Sequence, residues 1–295
     1  MVICSRFLAC IRARSQLPEA DRALMKQADH ATIPAHFPQP LPAAGDPVTE
    51  QHTPEKRDTL YSRSLGDPGL FRFDESVVNV FPDMIKRSVP GYTTIVAMTG
   101  LLARRYARTG TNLYDLGSSL GASTLAMRQN IQCEGCQIIA VDNSEAMLER
   151  SKSIIDTDSH DTPVTLLASD LQDVAIENAS IVVLNFTLQF IPREQRDDVI
   201  HRIYEGLQPG GVMVLSEKVQ FEDPHLDALN IDLHHEFKRS NGYSDLEIAR
   251  KRDALEHVLL PETLATHKSR IASAGFSSCD VWFQCFNFAS MIALK

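Results

Sequence analysis

Basic charge is in short supply in this chain. Lys and Arg number 29 against 38 Asp and Glu, leaving a net charge of −9. A surface that neutralises a phosphate backbone needs clustered cations. The balance therefore argues against direct nucleic-acid binding, but not against a local basic pocket for a small acidic substrate. Cysteine is sparse too: the six (Cys4, Cys10, Cys133, Cys136, Cys279 and Cys285) fit a reducing, cytoplasmic setting. Only Cys133-Glu-Gly-Cys136 has a metal-like spacing, and a tetrahedral zinc site would want a second ligand pair. These are read as ordinary thiols, and no metal is expected. No run approaches the roughly 20 apolar residues of a bilayer span, so no membrane partner is expected. The opening MVICSRFLACIRARSQ is broken by Arg6, Arg12 and Arg14 and makes a poor signal peptide.

At 295 residues and 43% apolar content, the chain can bury one sizeable core, with or without an appendage. Residues 1–53 differ from the rest. HATIPAHFPQPLPAAGDPVTEQHTP is rich in Pro and Ala and has no hydrophobic period. The preceding LPEADRALMKQAD could form a short helix with little to pack against. The segment is expected to be a disordered extension without chemistry, and Met25 leaves open an over-long start.

From residue 54 to 295 the pattern is that of one domain. A helical region, 74–108, leads to the strand NLYDLG (112–117) and the helix GASTLAMRQNI. QIIAVD (137–142), VTLLASD (164–170), SIVVLNF (180–186) and GVMVLSEK (211–218) are further strands, with helices at SEAMLERSKSII and 193–207. Near-continuous apolar strands alternating with helices specify a mostly parallel α/β sheet covered on both faces. CDVWFQCFNFASMIALK reads as a terminal antiparallel hairpin. The stretch after the fifth strand exceeds what a crossover needs, and it contains the capping-box sequence Ser244-Asp245-Leu246-Glu247. A helical insertion at about 222–260 is predicted there, as a lid or a dimer surface.

Ligands of open α/β sheets bind beyond the carboxyl ends of the strands. Gly117 and Gly121 in YDLGSSLGAST allow a sharp turn and a close backbone approach. A tight β-α turn without a ligand would look the same. Asp142 closes the second strand about 20 residues further on, the usual place for a ribose-binding carboxylate. Asp170 and Asn185 end the third and fourth strands. One such Asp is usually a helix cap, but three polar strand ends beside a glycine loop favour a nucleoside. The pattern D-x-G-x-S-x-G lacks the second glycine of a pyrophosphate loop. With the terminal hairpin, it resembles the class I S-adenosylmethionine-dependent methyltransferase (Rossmann-like) fold.

Longer strings narrow the resemblance. RDTLYS, FDESVVNVFPDMIKRSVPGY, YDLGSSLGAST, AVDNSEAM, IENASIVVLNFTLQF, LSEK, HHEFKRSNGYSDLEI and WFQCFNF are similar to the carboxy-S-adenosyl-L-methionine synthase family, over about residues 57–295. The family loop reads DLGCSLGA, so Ser119 is its usual residue and Ser118 stands in for a cysteine. The resemblance implies conversion of S-adenosylmethionine and prephenate into carboxy-S-adenosylmethionine and phenylpyruvate. It also implies a homodimer, and a partner tRNA carboxymethyltransferase that uses the product on wobble uridines. It places Tyr92 at the cofactor pocket and in catalysis, Gly117, Ser118 and Ser119 on the loop, and Asp142 and Asn143 on the ribose. Asp170 and Leu171 would contact adenine, with Asn185 beside them, and Arg252 would bind the new carboxylate and act in catalysis. The bare sequence reads Arg250-Lys251-Arg252 as a solvated basic face. His234-His235 point about 100° apart on a helix, which suggests a surface or interface. Phe186, Phe190, Trp282, Phe283, Phe286 and Phe288 read as core. A conventional small-molecule methyltransferase, or a noncatalytic S-adenosylmethionine-binding partner of a tRNA-modifying enzyme, are the alternatives.

Overall fold

In the strand Asn112–Leu116 every side chain after the first is buried, so neither face meets water and both must be covered. The computed structural model that shows this describes residues 56–62 and 73–295. The expected extension, 1–53, and its short helix lie outside these residues. Helices come first: α1 (Glu75–Val78), α2 (Phe81–Ser88) and α3 (Tyr92–Tyr106). Then β1 (Asn112–Leu116), α4 (Ala122–Arg128), β2 (Gln137–Asp142), α5 (Glu145–Ile155), β3 (Val164–Ala168) and β4 (Ala179–Asn185) follow. The chain continues through α6 (Arg196–Gly206), β5 (Leu207–Gln220), α7 (Pro224–Ser240) and α8 (Asp245–Leu255). It ends with β6 (Glu262–Thr263), α9 (Leu264–Ser273), β7 (Ser278–Cys285) and β8 (Phe288–Leu294).

The sheet runs β3-β2-β1-β4-β5-β8-β7, with the two-residue β6 pairing beside the end of β5. The pairs among β1 to β5 are parallel, whereas β8 runs antiparallel to both β5 and β7. This is the class I methyltransferase-like α/β arrangement with its terminal hairpin. Alternation splits the core into two layers. Leu116, Leu184 and Leu215 pack with Val199, Ile200 and Ile203 of α6 on one face. Leu113, Val183 and Val214 pack with Ala103 of α3 and Met127 of α4 on the other. Each of these Leu, Val, Ile and Met side chains, fully buried, contributes about 1.5–3 kcal/mol. The chain order reverses around β1, which lies between β2 and β4, and that opens a crevice at the carboxyl ends of these strands.

Two details differ from the sequence reading. β5 starts at Leu207, before Pro209-Gly210-Gly211 rather than after it. Its register against β4 jumps from Ala179↔Leu207 to Ile181↔Val212. Gly210 adopts φ +72°, so the glycine turn is a bulge inside the strand rather than a break before it. The second difference is β6, which had no hydrophobic run to announce it.

The insertion forms as α7 and α8. Asp223 caps α7, and Ser244 and Glu247 complete a reciprocal capping box on α8. Both helices are tied back to α2. Arg87 donates from Nε to the Asn241 carbonyl at 2.7 Å, and its guanidinium lies 3.8 Å from the centre of the Tyr243 ring. These bonds hold the insertion over the crevice.

Candidate active site

The β1–α4 loop is shaped by backbone that most residues avoid. Gly117 has φ +82°, and a Cβ there would sit 2.3 Å from the Thr187 hydroxyl oxygen. Ser119 takes φ +48° without being glycine. The N–H groups of Gly117 and Ser118 both donate to the Val141 carbonyl, at 2.8 and 2.9 Å, clamping the loop onto β2. Ser119 N–H donates to one Asp142 carboxylate oxygen and Ser144 N–H to the other, each at 2.9 Å. Burial raises the Asp142 pKa, and the bonds from Ser144 and Ser119 oppose that rise. Each oxygen keeps a lone pair for a ligand hydroxyl.

Asn143 donates to Asp170 at 2.8 Å and joins the ends of β2 and β3. Leu171, buried, follows Asp170 into a short 3₁₀ turn. At the end of β4, Asn185 accepts from Ser216 at 2.6 Å and donates to Ser123 at 2.9 Å, linking β4, β5 and α4. Beneath the loop, Asp115 is buried and accepts from Thr124 at 2.6 Å, and desolvation pushes its pKa up to about 6. Tyr92 opens α3 just after Gly91, where a Cβ would overlap the Phe283 ring. The Tyr92 and Phe186 rings lie 6.3 Å apart, and burial, with Asp115 nearby, raises the phenol pKa and keeps it protonated.

These side chains meet in a cavity of about 250 Å³ at the strand ends. Tyr92, Gly117, Ser118, Ser119, Asp142, Asn143, Asp170, Leu171 and Asn185 all line it. Ser118 is buried there, and its hydroxyl has no hydrogen-bond partner. Phe186 and Phe288 are wall as well as core, because their aromatic cluster ends at the cavity, whereas Phe190, half-buried against Phe73, is wall rather than core.

Arg252 is placed elsewhere. Its side chain is 64% exposed on α8 and pairs with Asp253 at 2.9 Å, outside its own chain's cavity. The neighbouring Lys251 is buried and lines the cavity, donating to Ser88 at 3.2 Å. The run Arg250-Lys251-Arg252 is thus not uniformly solvated: a helix turns by about 100° per residue, and the inward direction falls on the lysine. The same geometry corrects the surface assignment of His234. It is buried, lines the cavity and bonds the Ser88 carbonyl through Nε2 at 2.8 Å. Desolvation, then Lys238 and Lys218, take its pKa down to about 2, so it is neutral. Lys218 at the end of β5 and Lys238 on α7 complete a basic wall that sequence reasoning missed. A usable signal was the four-residue spacing of His234 and Lys238, which puts both on one helix face.

Cys133 and Cys136 face each other with sulfurs 2.9 Å apart, and burial pushes the Cys133 thiol up to about 11. Among the described residues no group of three or more His, Cys, Asp or Glu is arranged to hold a metal ion. No described helix is long and apolar enough to cross a membrane.

A methyltransferase-domain family model matches residues 113–211, the segment carrying the loop and the strand-end residues. A carboxy-S-adenosyl-L-methionine synthase of Trichlorobacter lovleyi is 60% identical over 242 residues, covering 82% of this chain and 99% of its own length. One of the same name from Aliivibrio fischeri is 56% identical over 238 residues, covering 81% of this chain and 98% of its own.

The chain belongs to the carboxy-S-adenosyl-L-methionine synthase family.

Solved structures add the fold alone. A human N-acetylserotonin methyltransferase, solved with S-adenosylmethionine, is 16% identical over 75% of this chain and 55% of its own, with a TM-score of 0.51. A mitomycin 7-O-methyltransferase reaches a TM-score of 0.50 at 10% identity, over 75% of this chain and 57% of its own. Family membership thus rests on the close relatives, which match this chain over 98–99% of their own length.

Proposed function

We propose that the chain converts S-adenosylmethionine and prephenate into carboxy-S-adenosylmethionine and phenylpyruvate. The observation that carries this reading is a single cavity joining a nucleoside-binding rim to a buried basic wall, in a chain 60% identical to a protein named for that product. Asp142 and Asn143 take the ribose hydroxyls, Asp170 and Leu171 the adenine, and the Gly117–Ser119 loop the amino acid part of the nucleoside. Tyr92 and Asn185 flank the sulfonium.

In this reading the sulfonium methyl loses a proton to give an ylide. Prephenate aromatises, losing its ring carboxylate as carbon dioxide and its ring hydroxyl as hydroxide. The ylide carbon bonds the carbon dioxide, and the hydroxide takes up the proton as water, so atoms and charge balance. Such a step needs positioning and dryness more than a strong nucleophile, because water would reprotonate the ylide. The insertion over the crevice supplies the cover. A guanidinium suits the new carboxylate because it can bind both oxygens. Arg252 faces away from its own cavity, so it would serve the site of a second copy. The exposed stripe Leu226, Leu229 and Leu233 on α7 (49%, 51% and 37% exposed) supplies an apolar surface for that homodimer. The product would then feed a tRNA carboxymethyltransferase acting on wobble uridines, in the cytoplasm.

Mass spectrometry of the nucleoside released after incubation with S-adenosylmethionine, with and without prephenate, tests this. A product heavier by one carbon dioxide, made only with prephenate and matched by phenylpyruvate, is expected. Unmodified S-adenosylmethionine in both tubes would mean a conventional methyltransferase or a noncatalytic binder.

A further inference from the structure

The basic wall is not explained by the nucleoside. Lys238 and Lys251 are buried and Lys218 is half-buried, yet all three line one cavity. They come from separate elements, the end of β5, α7 and α8, so no local pattern put them together. Lys251 is partly neutralised by Asp58, 3.9 Å away. Lys218 and Lys238 make no salt bridge with any described residue. Desolvation, then the like charges of Lys251 and Lys218, take the Lys238 pKa down to about 7, and Asp227 opposes the lowering at Lys218 without pairing with it. Holding unpaired ammonium groups out of water is costly unless an anion joins them. Apolar side chains, among them Phe81, Met84, Phe190 and Leu255, line the rest of the cavity and suit a six-membered carbon ring.

We propose that Lys218, Lys238 and Lys251 form the subsite for the 2-oxo acid end of the co-substrate, holding the carboxylate that survives the reaction. This rests on the functional reading above. A 2-oxo acid offers three adjacent oxygens, enough for two unpaired ammonium groups and a third that is already shared. The departing carboxylate is the wrong partner for them. An ion pair there would stabilise the ground state more than the transition state, in which that charge leaves the group, and so would slow the release of carbon dioxide. The lysines therefore take one end of the dicarboxylate and leave the other to the apolar wall. The helical insertion is then part of the site as well as its cover, because it carries two of the three cations.

The test uses the full chain with Lys218→Met and Lys238→Met, each compared with Lys238→Arg. Prephenate KM, inhibition by phenylpyruvate and S-adenosylmethionine affinity by titration calorimetry are measured for all. Losing one charge-assisted contact should raise prephenate KM and weaken phenylpyruvate inhibition alike, roughly 10- to 100-fold. S-adenosylmethionine affinity should stay within about threefold, which also shows that the variant is folded, and Lys238→Arg should keep most of the prephenate affinity. If Lys238→Met does not fold, Lys218→Met, at the less buried position, carries the test. Unchanged prephenate KM in an active protein overturns the subsite. A raised KM with unchanged phenylpyruvate inhibition also overturns it, because the lysines would then hold the departing carboxylate. A wild-type protein that makes no carboxylated product at all removes the functional reading, and the subsite with it.

Discussion

Replacing Asp142 by Asn changes almost nothing in shape and removes what the β1–α4 loop and the proposed ribose contact share. The carboxylate takes Ser119 N–H on one oxygen and Ser144 N–H on the other, both at 2.9 Å. An amide has one oxygen, so its NH₂ group must face one of those two donors. Either a loop anchor or a ribose hydroxyl loses its acceptor. Hydrogen bonds to a charged group contribute about 1.5–3 kcal/mol, so S-adenosylmethionine affinity should fall by roughly 10- to 150-fold. Ser119 is held at φ +48°, a conformation that costs a non-glycine residue about 1–2 kcal/mol. Releasing its anchor lets that strain relax, which offsets part of the loss in the ligand-free protein. The thermal midpoint without ligand should accordingly change little, while the ligand-induced rise in midpoint should shrink. Titration calorimetry alongside thermal unfolding separates the two effects. A folded Asp142→Asn protein that binds within threefold of wild type would refute the reasoning, leaving Asp142 a loop anchor only.

Other expectations follow from the same geometry. Arg252→Ala should weaken carboxy-S-adenosylmethionine binding much more than S-adenosylmethionine binding; equal weakening of both in calorimetry would sink the carboxylate role. Arg196, fully buried, contacts Glu262 at 2.6 Å, and Arg270 grips the same carboxylate with two bonds of 2.9 Å. Burial raises the Glu262 pKa, but the bonds from Arg270 and Arg196 outweigh it and take the carboxyl down to about 2. The depressed pKa means that this stabilisation is complete above the unfolded value of about 4.3 and is lost as pH falls toward 2. Glu262→Gln should cost about 3 kcal/mol at neutral pH in denaturant unfolding and progressively less below about pH 4; a pH-independent difference would contradict this. Deleting residues 1–53 should leave turnover intact, since relatives that match 82% of this chain span 99% of their own length. A clear loss of turnover would give that segment a role.

Much of the site was legible because it is made of local signals. A glycine at a strand end, an acidic residue closing the next strand and polar residues closing the two after it announce themselves within a few positions each. The parallel sheet then brings strand ends to one rim, so Gly117, Asp142, Asp170 and Asn185 meet without further information. The Ser244–Glu247 capping box was equally local, and α8 begins there.

The lysines were illegible for the opposite reason. Lys238 and Lys251 lie in polar helical stretches and Lys218 near the end of an apolar strand, and beyond the His234–Lys238 spacing nothing local shows that the three meet. Whether residue 251 or 252 faces inward depends on the rotation of α8 about its own axis. That rotation is set by how Ile248 and Ala254 pack, by the bond that Arg87 donates to the Asn241 carbonyl and by the one that Tyr243 donates to Asp58. The amino-acid sequence alone thus determined the family, the sheet and the rim of polar strand ends, because those depend on short-range patterns repeated along β strands. Which charges enter the cavity was decided only by tertiary packing, where a helix turn of about 100° per residue sends adjacent cations in different directions.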